Sequence, residues 1–239
     1  MLVNHPADVM HKLWMYRILT AVADTPQLST VLRFKGGTCA AMRNLIDRFS
    51  VDLDFDLVDT EKQAAVRTGL EKIFSSLDLA IKESSKNAPQ YFVQYPTKTR
   101  GRSIIKIETS FPVPQSNEYE PVRLPEISRI VHCQTIGTLV ANKLVALTDR
   151  YKKHKSIAGR DVFDIHAFLS QSLPINKKVV EERTGKDFGV YITALKKFIE
   201  SHISQRVIDE DLNVLLPAEV FQKVRKTLKA ETLFLLNSQ

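Results

Sequence analysis

The stretch RFSVDLDFDL, residues 48–57, alternates strictly. Val51, Leu53, Phe55 and Leu57 fall on one face of an extended chain, and Ser50, Asp52, Asp54 and Asp56 fall on the other. The period of two predicts a β-strand over 50–58 with its apolar face in a core. The opposite face then carries three like charges. At about 3.3 Å per residue, Asp52 and Asp54 stand about 6.6 Å apart along the strand. At an effective dielectric near 20 that spacing costs roughly 2.5 kcal/mol for each ionised pair. A divalent cation between them reverses the sign, and Mg²⁺ is commonly held by one or two carboxylates plus substrate phosphates. A solvated strand face with screened charges is the alternative for this segment taken alone.

Glycine is scarce, eight residues in 239, against a usual share of about 7%. The adjacent Gly36 and Gly37 are therefore informative. They sit between TVLRF (30–34), which favours strand, and CAAMRNLIDRF (39–49), which has a helical pattern. Glycines there let backbone amides approach a ligand closely, and the start of the following helix favours an anion such as a phosphate. Thr38 adds a hydroxyl. The alternative is a tight turn with Thr38 as helix cap.

The rest of the chain predicts two parts. A helix is expected over 8–24, ended by Pro26, another over 60–76, and strands near 79–83, 90–96 and 102–111. In the last strand Ile105, Ile107, Thr109 and Phe111 share one face, leaving Lys106 and Glu108 on the other. FPVPQSNEYEPVRLPEI (111–127) holds four of the ten prolines, which places a domain boundary there, with an α/β domain over 1–125 and a helical domain over 126–239. Helices are expected at 134–152, 160–171, 176–183, 187–203 and 217–230.

Composition narrows the function classes. An apolar fraction of 44% and a charged fraction of 26% are ordinary for a globular protein. No run approaches the roughly 18–20 apolar residues needed to cross a bilayer, and the polar N-terminus lacks the apolar centre of a signal peptide, so no membrane partner and a cytoplasmic location are expected. Cys39 and Cys133 fit no metal or redox spacing and read as small buried hydrophobes. A net charge of +7 favours an anionic partner, with basic residues clustered at 97–106 and 150–160. A cationic rim around an acidic centre suits an enzyme that acts on nucleic-acid ends.

Two later segments carry further candidates. Lys143 and Arg150 are seven apart, on one stripe of a helix whose other faces carry Leu139, Val140, Leu144, Val145 and Leu147. Asp161 and Asp164 are three apart and share a face of the next helix. The cationic stripe could face a triphosphate, or the two helices could form an ion-pair layer. Glu108 is either a third site acid or a strand residue paired with Lys106.

A glycine pair opening a helix, Asp-x-Asp on the next strand and an acid on a later strand resemble the polymerase-β-like nucleotidyltransferase superfamily. RFKGGTCAAM followed by DRFSVDLDFDL is similar to the signature of the AbiEii-type nucleotidyltransferases, the toxins of abortive-infection type IV toxin–antitoxin systems. NKLVALTDR (142–150) and GRDVFDIHAFL (159–169) resemble that family's later motifs, so the likeness covers about residues 31–170. It implies an α+β fold, a mixed sheet flanked by helices and followed by a helical domain. The implied reaction is Mg²⁺-dependent transfer of a nucleoside monophosphate from an NTP, with release of pyrophosphate, to RNA and most plausibly a tRNA 3′ end. A cognate antitoxin is the implied protein partner.

Carried onto this chain, the resemblance gives Gly36, Gly37 and Thr38 to the triphosphate, Asp52 and Asp54 to Mg²⁺, and Lys143 and Arg150 to phosphate charge. Asp161 or Asp164 corresponds to an activating acid, and Glu108 to a third metal ligand. Lys35, Arg48, Ser50 and Arg160, which lie in the same motifs, join the candidate substrate-binding residues. Asn142 stands where an acid often precedes the lysine, which leaves the orientation of Lys143 open. The competing readings are transfer to a protein hydroxyl and a non-catalytic module that binds nucleotide or antitoxin.

Overall fold

The strand of aspartates lies at the centre of a seven-stranded mixed sheet. A computed structural model describes residues 6–97 and 102–239. The chain runs α1 (Pro6–Ala23), α2 (Pro26–Ser29), β1 (Leu32–Lys35), α3 (Gly36–Met42), β2 (Asp52–Leu57), α4 (Gln63–Ser76), β3 (Ala80–Ser84), β4 (Gln90–Gln94), β5 (Ile104–Ser110), β6 (Tyr119–Leu124) and β7 (Arg129–Gln134). Helices follow: α5 (Ile136–His154), α6 (Gly159–Ser170), α7 (Lys177–Thr184), α8 (Phe188–His202), α9 (Gln205–Leu212), α10 (Ala218–Val224) and α11 (Leu228–Leu236). The strand order is β3-β4-β5-β2-β1-β7-β6. β2 pairs antiparallel with β1 and parallel with β5, and that register sets Asp54 beside both Lys35 and Glu108.

The apolar face of β2 is fully used. Leu53, Phe55 and Leu57 are buried, in a core continuous with Met15 and Leu19 of α1, Phe74 of α4, and Leu195 and Leu236 far along the chain. Burial of side chains of this size contributes roughly 1.5–3 kcal/mol each, so the register of β2 is firmly held. A slip by one residue would put its aspartates in the core. Cys39 and Cys133 are buried free thiols, packed as small hydrophobes.

The segment read as a proline-rich boundary holds β6, and β7 follows where the helical part was expected to begin. Pro121 lies in β6, which forms one edge of the sheet; an edge strand tolerates a residue without an amide hydrogen because one side of it needs no ladder bonds. The expected boundary at 125/126 falls between these two strands. A division at Thr135, where the sheet ends and α5 begins, is the placement we propose.

Two helical expectations change, and one helix is additional. α3 starts at Gly36 and stops at Met42, because Asn44 takes a left-handed φ of 57° and Leu45 bonds back to the Ala40 carbonyl. Residues 43–51 then run irregularly to β2. The helix expected at 217–230 is two, α10 and α11, and α9 precedes them unanticipated. Its cap, Ser204, accepts from the Val207 amide, a start signal that reading for apolar period alone passes over.

Candidate active site

A cavity of about 300 Å³ lies where β2 and β5 meet the first turn of α3 and the helices α5 and α6. Asp52, Asp54 and Glu108 line its sheet side, Gly36 and Gly37 the α3 side, and Lys143, Arg150, Arg160 and Asp161 the helical side. Arg48 and Ser50 close the remaining wall.

Gly36 has a φ of +76°, a backbone conformation that glycine adopts freely and other residues do not. A Cβ there would stand 2.3 Å from Asp54 Oδ2, and one on Gly37 would stand 2.8 Å from Arg48 Nη2 and 3.0 Å from Ser50 Oγ. The glycine pair therefore makes room for the acidic strand itself. Thr38 is fully buried, and its hydroxyl donates to the Asp52 carbonyl and lies 2.9 Å from Ser50 Oγ. It ties α3 to β2 and does not reach the cavity.

The third aspartate is elsewhere. Asp56 is 1% exposed. It pairs with Lys35 at 2.7 Å and accepts from Gln134 Nε2 (2.6 Å), Tyr119 Oη (2.9 Å) and Asn117 Nδ2 (3.1 Å). Lys35 is thereby turned away from the cavity that Asp52 and Asp54 line. Burial pushes the Tyr119 hydroxyl up, and the Asp56 charge adds to it.

On the helical side the structure answers how Lys143 is oriented. Its Nζ is 2.8 Å from Asp161 Oδ1 and 2.9 Å from Asp164 Oδ2. Arg48 meets Asp164 with two parallel bonds, Nε–Oδ1 at 2.6 Å and Nη2–Oδ2 at 2.7 Å, and Arg150 Nε reaches Asp161 Oδ2 at 3.2 Å. Burial disfavours the Asp161 charge, but Lys143 and Arg150 outweigh it and hold the carboxyl at about 2. Arg48 and Lys143 likewise overcome burial to lower Asp164. The ion-pair layer exists, and it leaves Lys143 and Arg150 on the cavity wall. Asp164 is fully buried beneath that layer and does not line the cavity.

Asp52 and Asp54 differ from these. Among the described residues neither has an ion-pair partner. Burial lifts the Asp54 carboxyl to about 6, with the Asp52 charge adding to the effect. Burial also raises Asp52, against the opposing pull of Arg160 and Lys106. Two carboxylates destabilised in their ionised form and open to one cavity are suited to a divalent cation. Glu108 lines the same cavity but is paired with Lys106. Among the described residues, no three His, Cys, Asp or Glu side chains converge as a metal cluster.

Lys106 and His154 also line the cavity and were outside the candidate set. His154 lies four residues past Arg150 on α5, a helical spacing that continues the Lys143–Arg150 stripe and was the signal that could have found it. In the basic run 97–106, Lys98 and Arg100 lie outside the described residues. His166, another residue of the α6 motif, pairs with Glu231 at 2.9 Å, apart from the cavity.

A mixed sheet carrying two acids on its central strand, a glycine-opened helix against them and a helical part supplying cations define a nucleotidyltransferase fold. The sequence profile of the AbiEii nucleotidyl transferase toxin family, type IV toxin–antitoxin system, matches residues 17–232, and the chain belongs to that family. Membership implies an NTP substrate and a cognate antitoxin. JHP933 from Helicobacter pylori is similar in structure at 21% identity and a TM-score of 0.61, over 99% of this chain and 94% of that one. MenT4, a nucleotidyltransferase toxin from Mycobacterium tuberculosis, is similar at 16% identity and 0.55, over 94% and 83%. No curated protein sequence matches the chain. Among the described residues no helix is long and apolar enough to cross a membrane.

Proposed function

We propose that the protein transfers a nucleoside monophosphate from an NTP to the end of an RNA, a tRNA 3′ terminus being the acceptor best suited to it, in the cytoplasm. The observation that carries this reading is the meeting of unpaired Asp52 and Asp54 with Arg48, Lys106, Lys143, Arg150 and Arg160 around one cavity. The acceptor hydroxyl attacks the α-phosphorus, the bond to the β-phosphate oxygen breaks, and pyrophosphate leaves. The hydroxyl proton passes to a carboxylate of the Asp52–Asp54 pair, the acids that line the cavity without an ion-pair partner.

Lys143, Arg150 and Arg160 would neutralise the triphosphate and the leaving pyrophosphate. α3 is only seven residues long, so these side chains supply the field more than its dipole does. Asp161, held at about 2, stays ionised and orients Lys143 and Arg150; Asp164 orients Arg48 and Lys143. Mg²⁺ held by Asp52 and Asp54 would supply charge neutralisation at the reacting phosphate. Glu108 would join them as a third ligand on leaving Lys106. Exposed Lys152, Lys153 and Lys155 beside Arg150 favour a polyanionic acceptor over a protein hydroxyl.

The test is incubation of the protein with each labelled NTP, Mg²⁺ and total RNA beside Asp52→Ala. Label is expected in RNA and absent with the variant. Label in protein, with none in RNA, would overturn the acceptor assignment.

A further inference from the structure

A second cavity of about 600 Å³ adjoins the first and has no part in the chemistry above. The two share Glu108 as a common wall. α5 borders both through adjacent positions: Lys143, Arg150 and His154 face the catalytic cavity, while Asn142, Asp149 and Lys153 face the second. Small-molecule sites occupy roughly 300–1,000 Å³, so the catalytic cavity at about 300 Å³ is at the lower limit for a whole nucleotide. We propose that the second cavity takes the nucleoside of the NTP, base and ribose, while its triphosphate lies over Asp52 and Asp54. This rests on the nucleotidyl-transfer reading above and specifies where its substrate lies.

Charge separates the two compartments. The catalytic cavity is lined by five cationic and four acidic side chains, two of the acids being the proposed cation ligands Asp52 and Asp54, so with a divalent cation held there it suits a triphosphate. In the second, Lys35 is neutralised by Asp56 at 2.7 Å and Arg183 by Asp149 at 2.7 Å. Its lining as a whole holds four carboxylates, Asp56, Glu108, Asp149 and Glu182, against Lys35, Lys153 and Arg183, a balance that disfavours phosphates and suits the uncharged moiety of a nucleotide.

The walls are set before any ligand arrives. Asn142 donates to Asn117 Oδ1 at 3.0 Å and accepts from Arg183 Nη1 at 2.7 Å, so α5, α7 and the segment before β6 are joined across the cavity. Glu182 accepts from the Gln115 and Ser116 amides at 2.7 and 2.8 Å. Walls fixed in this way lose little freedom on binding. Phe111, Pro112 and Val113 give an apolar surface against which a base can lie. The Gln90 amide and the Ser110 hydroxyl line the cavity and have no hydrogen-bond partner among the described residues, which leaves a donor and acceptor set for a base edge.

Calorimetric binding of the four NTPs and of inorganic tripolyphosphate, with Mg²⁺, distinguishes the parts. Ser110→Leu and Ala88→Phe, which narrow the second cavity, are expected to weaken NTP binding at least tenfold and leave tripolyphosphate binding unchanged, the latter also reporting an intact fold. Gln90→Ala is expected to change the ranking of the four NTPs. Arg160→Ala is expected to weaken NTP and tripolyphosphate alike; if it weakens neither, the catalytic-cavity reading fails, whatever the other variants do. Unchanged NTP affinity in both narrowing variants would overturn the nucleoside assignment. Unchanged affinity together with lost label transfer to RNA would give the cavity to the acceptor end instead.

Discussion

The Asp54 carboxylate rests on the bare Cα of Gly36, so closely that a methyl group on the glycine would stand 2.3 Å from Asp54 Oδ2. This contact joins the two most specific sequence signals in one place. It also shows that Gly36 has two requirements, a left-handed φ of +76° and no side chain.

Gly36→Ala is therefore expected to lose roughly 1–3 kcal/mol of stability from its backbone conformation alone, and to abolish label transfer by displacing Asp54. Gly37→Ala is expected to be milder. Its neighbours are the ends of the Arg48 and Ser50 side chains, which can shift. Thermal melts and transfer assays on both variants check the order, and an active, fully stable Gly36→Ala would contradict it.

Asp54 is held in an environment that opposes its charge. Its carboxyl titrates at about 6 in the folded protein against 3.8 for a free side chain, so between those values the folded state binds the extra proton. Stability from this group falls as pH rises through pH 4–6, and the whole penalty, about 2–3 kcal/mol, stands above pH 6. Asp54→Asn is expected to raise the melting temperature at pH 7.5, to change it little at pH 4, and to be inactive throughout. A variant less stable than the parent at pH 7.5 would show that the charge is already compensated within the protein.

The acidic strand, the glycine pair and the α5 and α6 stripes were legible because each is a local periodicity tied to a known spacing. What could not be read depends on partners distant in sequence. Asp56 looks identical to Asp52 and Asp54 along the strand, yet Gln134, 78 residues on, claims it. Thr38 follows the glycine pair and was read as a triphosphate contact, but its hydroxyl is taken by the Asp52 carbonyl. β6 was hidden because Pro121 argues against a strand until its place at the sheet edge is known.

The buried pair of Arg48 and Asp164 supports the site from below. Removing one partner leaves the other charged and buried, which costs about 3–5 kcal/mol. Asp164→Ala is expected to show a loss of that size in urea unfolding. Arg48→Met combined with Asp164→Leu is expected to regain much of it, because no charge is then stranded. Transfer activity is expected to stay low in the double variant, since Lys143 keeps only Asp161 as its partner. Recovery of activity along with stability would mean that Asp161 alone positions the lysine.

The three aspartates of β2 are expected to separate into two kinds under the same substitution. Asp56 is a shared acceptor for Lys35, Gln134, Tyr119 and Asn117, so Asp56→Ala leaves the buried Gln134 amide unsatisfied, at about 1–3 kcal/mol, and strips three half-buried donors of their acceptor. A large fall in melting temperature is the expected result. Asp52 faces the cavity without an ion pair and is raised chiefly by burial, so Asp52→Ala is expected to leave the melting temperature unchanged or higher. The two also divide by response to ligand. Mg²⁺ with NTP should stabilise the parent through binding linkage, should still stabilise Asp56→Ala in proportion to its folded fraction, and should leave Asp52→Ala unmoved. If Asp52→Ala instead melts as early as Asp56→Ala, its carboxylate is part of the structural network, and the cation site has been placed on the wrong end of the strand.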